Sequence, residues 1–373
     1  MKTYQFLDNI FEIQSFDKAK GFASFLPAIA GVKGKPLWVF YTNIGQCVGG
    51  FGIDNKDTPF TPFDSYKKAR KEIPVNGFRT FIKINGKIYT PFFLHADVQR
   101  NMYVDKTSIR IEEIYPDLYK YEVIYSTISS KPYPGLIRHI RITNLSDKTT
   151  DFEIIDGANV FLPCPVSNYS YHLTNTLVGA YCLTYPNNNK PFFNFKEPES
   201  DSATVKVSNK GNGYFYIDEN NNVLDVIYDN KLIFGYDDTN ITPINIIDKD
   251  IKDLDLNNQV TENRLPSAYS VACISLESKK SYSFIGMFTH ASSVDEFNNN
   301  ISSLTYDDLC NFIDVTKDLV DSLLPKHIHT SNKIFDEYIV QSVLDNNLRG
   351  GFPSILGKDK PYYNYYQFLY FQI

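Results

Sequence analysis

From about residue 37 to about residue 290 the chain alternates short runs of apolar and polar residues with turns rich in Asn and Gly. Ile137, Ile140 and Ile142 interleave with His139 and Arg141, the partial alternation of a strand with one buried face. Thr204-Val205-Lys206-Val207 repeats the pattern, and Gly213 to Ile217 is aromatic and strand-forming. Leu224 to Tyr228 and Leu232 to Phe234 read as two strands joined by a hairpin turn at Asp229-Asn230. Further turns are expected at Asn76-Gly77, Asn85-Gly86, Asn209 to Gly213 and Asn220-Asn221-Asn222, because Asn and Gly tolerate the positive φ of tight turns. Many short strands with regular turns predict a large antiparallel sandwich. Pro186 to Ala203 and Asp237 to Pro266 read as long loops.

Near residue 303 the period changes. Thr305 can cap a helix, with Asp307 and Asp308 in its first turn, where negative charge is favoured. Leu309, Ile313, Leu319, Val320, Leu323 and Leu324 follow at near-helical spacing, and Pro325 ends the run. A second helix is expected from about Ser331 to Leu348, carrying Ile334, Tyr338, Ile339, Val343 and Leu344 and stopped by Gly350-Gly351 and Pro353. Strands first and helices last predict a β domain over 1–302, a helical linker over 303–326 and the opening of an α domain over 327–373. Tyr362 to Ile373 is mostly aromatic and apolar and carries no charge, unlike an ordinary exposed terminus. It suggests a chain cut within a larger domain, which would leave part of the linker helix's apolar face bare and prone to association.

Composition narrows the class. The 373 residues are 43% apolar and 21% charged, enough for a substantial core and consistent with about two units of ~100–200 residues each. Aromatic residues reach 15%, which suits packing on pleated faces and also stacking on sugar rings. A net charge of −6 without a basic footprint argues against nucleic acid as a partner. Met1 to Gln14 carries Asp8 and Glu12 and no continuous apolar stretch, so no signal peptide is expected. No run approaches the ~18 apolar residues of a membrane helix, so a cytoplasmic location without a membrane partner is expected. The five cysteines are odd in number and widely spaced, as reduced thiols would be. The six histidines are scattered and lack zinc-ligand spacing.

Motifs exclude more than they assign. Glycoside cleavage uses two carboxyl groups, or one acid and an external nucleophile. Asp54, Asp57, Glu112, Glu113, Asp156, Glu337 and Asp345 are available, none at a distinctive spacing. GxSxG, GxxxxGK[ST] and HExxH are absent, against nucleophile-elbow hydrolases, P-loop enzymes and zincins. A sugar epimerase would need a general acid and a base, for which His139, His172 and His290 are the candidate histidines. Trp38 could stack on a sugar but lies in an apolar strand, where core packing is the commoner role. Arg79 and Asn43 are weighed in the same way.

Three segments carry a resemblance. The first runs Phe22-Ala23-Ser24-Phe25-Leu26-Pro27-Ala28-Ile29-Ala30-Gly31 and on through Gly34-Lys35-Pro36-Leu37-Trp38-Val39-Phe40-Tyr41-Thr42-Asn43 to Gly45-Gln46. The second is Phe51-Gly52-Ile53-Asp54-Asn55-Lys56-Asp57 with Gly77-Phe78-Arg79-Thr80-Phe81. The third is Phe335-Asp336-Glu337-Tyr338 with Leu344-Asp345-Asn346-Asn347-Leu348-Arg349-Gly350-Gly351-Phe352-Pro353. Together they resemble the N-terminal region of cellobiose phosphorylase-like proteins of glycoside hydrolase family 94, with the 1,2-β-oligoglucan phosphorylase-like proteins as the nearest branch.

The resemblance implies a mainly β fold: a galactose mutarotase-like β-supersandwich, then a helical linker and the start of a truncated (α/α)6 barrel. It implies reversible inverting phosphorolysis of β-glucosides to α-glucose 1-phosphate, a glycosyltransferase-type reaction. In it one barrel Asp is the general acid and inorganic phosphate is the co-substrate, with no metal or organic cofactor. The implied partner is a β-glucan oligosaccharide or disaccharide, and the implied oligomer a homodimer. The family's catalytic Asp has no counterpart here, and Tyr362-Tyr363-Asn364-Tyr365-Tyr366-Gln367 stands where a polar stretch with acidic residues would follow. The expectation is therefore the N-terminal portion of a glycoside phosphorylase, inactive alone and with no catalytic residue assigned; the alternative is a stand-alone carbohydrate-binding β-sandwich protein. Asp345, Asn346 and Arg349 are the expected sugar-site neighbours, beside Gly350-Gly351 at a helix C-terminus. The competing role there is a helix cap, with Arg349 near the last carbonyls.

Overall fold

The computed structural model describes residues 4–7, 9–26, 29–53, 56–93, 98–198, 204–324, 330–348, 351–356 and 362–368. The chain begins with β1 (Tyr4–Leu7), β2 (Ile10–Gln14), β3 (Ala23–Leu26), β4 (Leu37–Thr42), β5 (Val48–Ile53), β6 (Pro59–Thr61), α1 (Tyr66–Asn76), β7 (Phe78–Ile84) and β8 (Lys87–Tyr89). It continues with β9 (Gln99–Val104), β10 (Ser108–Tyr115), β11 (Tyr119–Thr127), β12 (Gly135–Asn144), β13 (Thr150–Ala158), α2 (Asn168–Leu173), α3 (Asn175–Val178), β14 (Cys182–Tyr185) and β15 (Phe192–Pro198). Then come β16 (Val205–Val207), β17 (Gly211–Asp218), β18 (Asp225–Ile227), α4 (Lys231–Phe234), α5 (Ile244–Asp248), β19 (Ala268–Leu276) and β20 (Ser281–Ala291). Last are α6 (Val294–Ile301), α7 (Tyr306–Leu323), α8 (Lys333–Leu348) and the strands β21 (Gly351–Leu356) and β22 (Tyr362–Phe368), which pair with each other.

An eleven-stranded sheet runs β1-β2-β9-β10-β11-β12-β20-β17-β15-β14, with β16 on β15. A five-stranded sheet runs β18-β19-β13-β7-β8 and a four-stranded sheet β3-β4-β5-β6. Neighbouring strands are antiparallel, as in the long β11–β12–β20 ladder. One core joins all three sheets. Tyr121, Tyr125, Ile140 and Phe288 of the large sheet meet Val39 and Phe51 of the four-stranded sheet and Phe78 and Ile154 of the five-stranded sheet. The fold is thus a mainly β sandwich. On β11, Tyr119, Tyr121, Val123 and Tyr125 point into the core while Lys120, Glu122 and Ile124 take the other face, the period-two pattern of a strand.

The aromatic content is largely core. Phe288 sits among Phe51, Phe78, Phe161, Tyr214 and Tyr216, with ring centroids 5.3 to 5.9 Å away. Each such ring contributes about 1.5–3 kcal/mol by leaving water. β17 is buried on both faces because helices cover its outer side. There Phe215 and Ile217 pack with Phe297 and Ile301 of α6 and Leu309 and Phe312 of α7. Thr305 closes a reciprocal capping box with Asp308 at the start of α7.

At the centre of the sandwich lies a buried ion pair. Arg138 on β12 and Asp156 on β13 are both 0% exposed. Arg138 Nε donates to Asp156 Oδ2 at 2.9 Å and Nη2 to Oδ1 at 2.6 Å, a two-pronged fork between the large and five-stranded sheets. Asp156 Oδ1 also accepts from Tyr121 at 2.9 Å and from Thr80 at 2.5 Å. The guanidinium reaches Tyr125 and Gln46 as well and lies 4.6 Å from the Phe78 ring centroid. Gln46, in the β4–β5 turn, donates to Thr80 at 2.7 Å, so the network ties in the four-stranded sheet.

Several local expectations are corrected. Leu232 to Phe234 is a helical turn, not a strand. The Asp229 carboxylate accepts from the Lys231 backbone and from Arg264, which favours a turn of helix over a hairpin. Asn76-Gly77 ends a helix instead of making a strand turn, and that helix had no prediction. The segment 186–203 contains β15, not only loop. The loop 237–266 has no strand but two short helical turns. Val205 and Val207 both lie on an exposed edge strand. Most of the apolar side of α7 is covered, with Leu309 and Phe312 against the sheet and Val320 and Leu324 against Leu344 of α8, while Leu323 is exposed.

Replacing Arg138 by Met leaves a buried carboxylate uncompensated. Arg138→Met is expected to lower unfolding free energy by about 3–5 kcal/mol, read from urea midpoints. A loss under about 1 kcal/mol would contradict a central role for the pair.

Candidate functional site

Between the four-stranded and five-stranded sheets the chain crosses through α1. Its inner side, Ala69 and Ile73, packs on Phe40 with half-buried Trp38 and Phe63. Glycines stand where α1 meets the strand beside it and where it ends. A Cβ at Gly49 would lie 2.7 Å from Ile73 Cδ1, and one at Gly77 would lie 2.7 Å from the Ile73 carbonyl oxygen. Asp64, Lys68, Glu72 and Asn76 stand at intervals of four and so share one side of the helix and its entry. Asp64 pairs with Lys68 at 3.0 Å, and Asn76 donates to Glu72 at 2.7 Å.

Opposite this side stands α2, capped by Ser167, whose hydroxyl accepts from Ser170 N at 3.0 Å. Asn168 anchors it by accepting from Phe63 N at 2.9 Å and donating to Phe63 O at 2.8 Å. This places Tyr171 and His172 over α1, with His172 Nε2 3.4 Å from Asp64 Oδ1. The enclosed cleft has a volume of about 190 Å³ and an apolar floor at Val48, Ile73 and Phe78. Burial, with the charges of Glu72 and Asp64, pushes the Tyr171 phenol up to about 12, so it stays a neutral donor. Carboxylates, a phenol, an imidazole, an ammonium and a carboxamide thus surround a small cavity. Such a set matches hydroxyl groups, each of which both donates and accepts.

Of the expected sugar-site neighbours, Asp345 and Asn346 belong to the last turns of α8. Arg349 lies outside the described residues, as does Asp54. The other carboxylates have structural partners. Asp156 holds Arg138, and Glu113 accepts from Arg100 at 2.8 Å, Phe92 N at 2.6 Å and Tyr119 at 2.9 Å. Burial tends to raise the Glu112 carboxyl, but hydrogen bonds from Asn101, Tyr103 and Lys120 outweigh it and hold the group below its usual range. Asp57 makes a surface pair with Lys56, and Glu337 is half-buried on α8. Trp38 meets the Phe63 ring edge-on at 5.6 Å. Arg79 is buried 4.7 Å from the ring centroids of Phe81 and Phe93. Asn43 accepts from Phe22 N at 3.0 Å and Arg70 at 2.9 Å, pinning a loop. Of the three candidate histidines only His172 reaches the cleft. The signal that sequence reading missed was the four-residue interval from Asp64 to Asn76.

No family model matches the chain, and no curated protein matches it. Solved structures with some likeness include a polysaccharide lyase, at 9% identity and TM-score 0.39, over 72% of this chain and 34% of that one. Another is a galactose mutarotase-related enzyme from Lactobacillus acidophilus, at 11% identity and TM-score 0.34, over 73% of this chain and 99% of that one. A third is described as a kojibiose phosphorylase from the human microbiome, at 9% identity and TM-score 0.30, over 93% of this chain and 36% of that one. The chain thus spans about a third of the length of the lyase and of the phosphorylase. Likenesses at these scores carry no argument about activity, and the sandwich assignment stands on the strand pairing itself. No helix among the described residues is long and apolar enough to cross a membrane, which says nothing of β-barrels.

His139 and His290 are both pushed down from 6.5 to about 4. Burial is the main cause for each, with Arg141 adding to it at His139 and Lys35 at His290. The unfolded chain therefore binds more protons between those values, so stability is full above about pH 6.5 and falls as pH drops toward about 4. Histidine ring resonances titrating near pH 4, with a lower urea midpoint at about pH 5 than at about pH 7, are expected. Ordinary titration of both rings would contradict this.

Proposed function

We propose that this chain is the β-sandwich part of a glycoside phosphorylase of the cellobiose phosphorylase-like kind, and that the cleft between α1 and α2 receives a neutral sugar. The observation that carries this reading is the polar side Asp64, Lys68, Glu72 and Asn76 facing Tyr171 and His172 across about 190 Å³. That space suits a single sugar ring better than a drug-sized ligand, whose pockets span about 300–1,000 Å³. The charges of Asp64, Lys68 and Glu72 sum to a net negative side of the cleft, which disfavours anions and leaves a neutral polyol as the better occupant. Of the segments that resemble the family, Gly77 and Phe78 line the cleft, and Trp38 and Phe40 pack against α1.

In this reading a β-glucan oligosaccharide or disaccharide is the partner. The acid for phosphorolysis is supplied by a barrel and not by the carboxylates of the sandwich, so the sandwich binds without turnover. Calorimetric titration with glucose and with cellobiose is expected to show saturable binding with Kd of about 1 mM, about −4 kcal/mol. Asp64→Asn and Tyr171→Phe are each expected to weaken it by about 1 kcal/mol or more, roughly fivefold. Absence of saturable binding to either sugar would reject the sugar site. Release of glucose 1-phosphate from cellobiose and phosphate by this chain alone would reject the division of labour.

A further inference from the structure

A second groove lies on the outer face of the large sheet, away from the cleft. Strand register builds it in two rows. Arg110 on β10, Ile124 on β11 and His139 on β12 lie side by side in one row, and Glu112, Glu122 and Arg141 in the next. Arg110, Glu122, Ile124, His139 and Arg141 line an open groove of about 190 Å³, with Ile124 and Glu122 of β11 between the two arginines.

A cross-strand ion ladder would be the plain reason for such residues, and it accounts for the carboxylates. Glu112 is 3.1 Å from Lys120 and also accepts from Asn101 and Tyr103. Glu122 is 2.9 Å from Lys120. The ladder engages Arg110 at one long contact and leaves Arg141 out. Arg110 lies flat over the Tyr103 ring, 3.8 Å from its centroid, and its contact with Glu122 is long at 3.4 Å. Arg141 makes one hydrogen bond, from Nε to Ser283 Oγ at 3.3 Å, and among the described residues no carboxylate pairs with it. The residue is exposed, and among the described residues its terminal nitrogens have no hydrogen-bond partner. His139, fixed by Tyr306 at 2.8 Å, contributes a polar edge without a charge at neutral pH. Two guanidiniums around an apolar floor, one held flat by an aromatic ring and one with its fork open, form the arrangement that receives a planar or tetrahedral oxyanion. In a chain of net charge −6 this local excess of cationic donors is set apart from the rest of the surface.

We propose that this groove is an oxyanion-binding site, taking the carboxylate or phosphate of a small-molecule ligand between Arg110 and Arg141 with its apolar part against Ile124. The site is separate from the sugar cleft and does not rest on the reading given for it. The test is calorimetric titration of the full chain at low ionic strength with inorganic phosphate, with glucuronate and with glucose as the uncharged control. Saturable binding of phosphate or glucuronate, with the tighter of the two naming the oxyanion, is the expected result. Arg110→Gln and Arg141→Gln are each expected to weaken it about tenfold, and the double variant to abolish it. Because neither arginine is buried in the core, an unchanged urea midpoint checks that the variants fold. Asp64→Asn, in the other cleft, is expected to leave anion binding unchanged. Absence of binding by both anions would overturn the proposal, as would equal binding by the double variant.

Discussion

The sandwich turns on one buried charge pair. Arg138 and Asp156 come from facing sheets, and neither can be charged in that interior without the other. Taking two charges out of water is costly, so the pair is best understood as fixing position more than as adding stability. What it fixes is the seam. Through Thr80 and Gln46 the same network grips β7 of one small sheet and the β4–β5 turn of the other. Val48 and Gly49 follow Gln46 closely, and Phe78 lies just before Thr80, so the grip sets the two walls of the cleft. α1 then spans walls whose separation is already determined.

The two clefts differ in charge for reasons that can be read from their supports. The seam cleft is walled by a helix face whose repeating acids are only partly offset by Lys68, and it selects against anions. The outer groove is a strand face where Lys120 and Arg110 together offset Glu112 and Glu122 and leave Arg141 in excess. A sugar and an oxyanion would therefore be sorted to different faces of one sandwich.

Much of the fold was legible in the sequence. Alternation around His139 marks β12, the aromatic run after Gly213 marks β17, Asn85-Gly86 turns with positive φ between β7 and β8, and Thr305 caps α7 as expected. What escaped notice was structure set by contacts remote in sequence. Pro74 is a helix-breaking residue, yet the packing of Ala69 and Ile73 on Phe40 carries the helix through it as far as Asn76. The site was less legible still. Asp156 and Glu112 stood among the candidate acids with nothing local to show that they serve Arg138 and Lys120, and His172 gained its place only when Asn168 bound Phe63. Asp345, Asn346 and Arg349 were proposed from the resemblance rather than from spacing, and their role as sugar neighbours remains a proposal.

The central claim, that the seam cleft takes a neutral sugar, is tested most directly by following histidine ring protons by NMR while cellobiose is added. The account predicts that the His172 resonances move saturably while those of His139 and His290 stay fixed. An unmoved His172, or equal movement of all three, would contradict it.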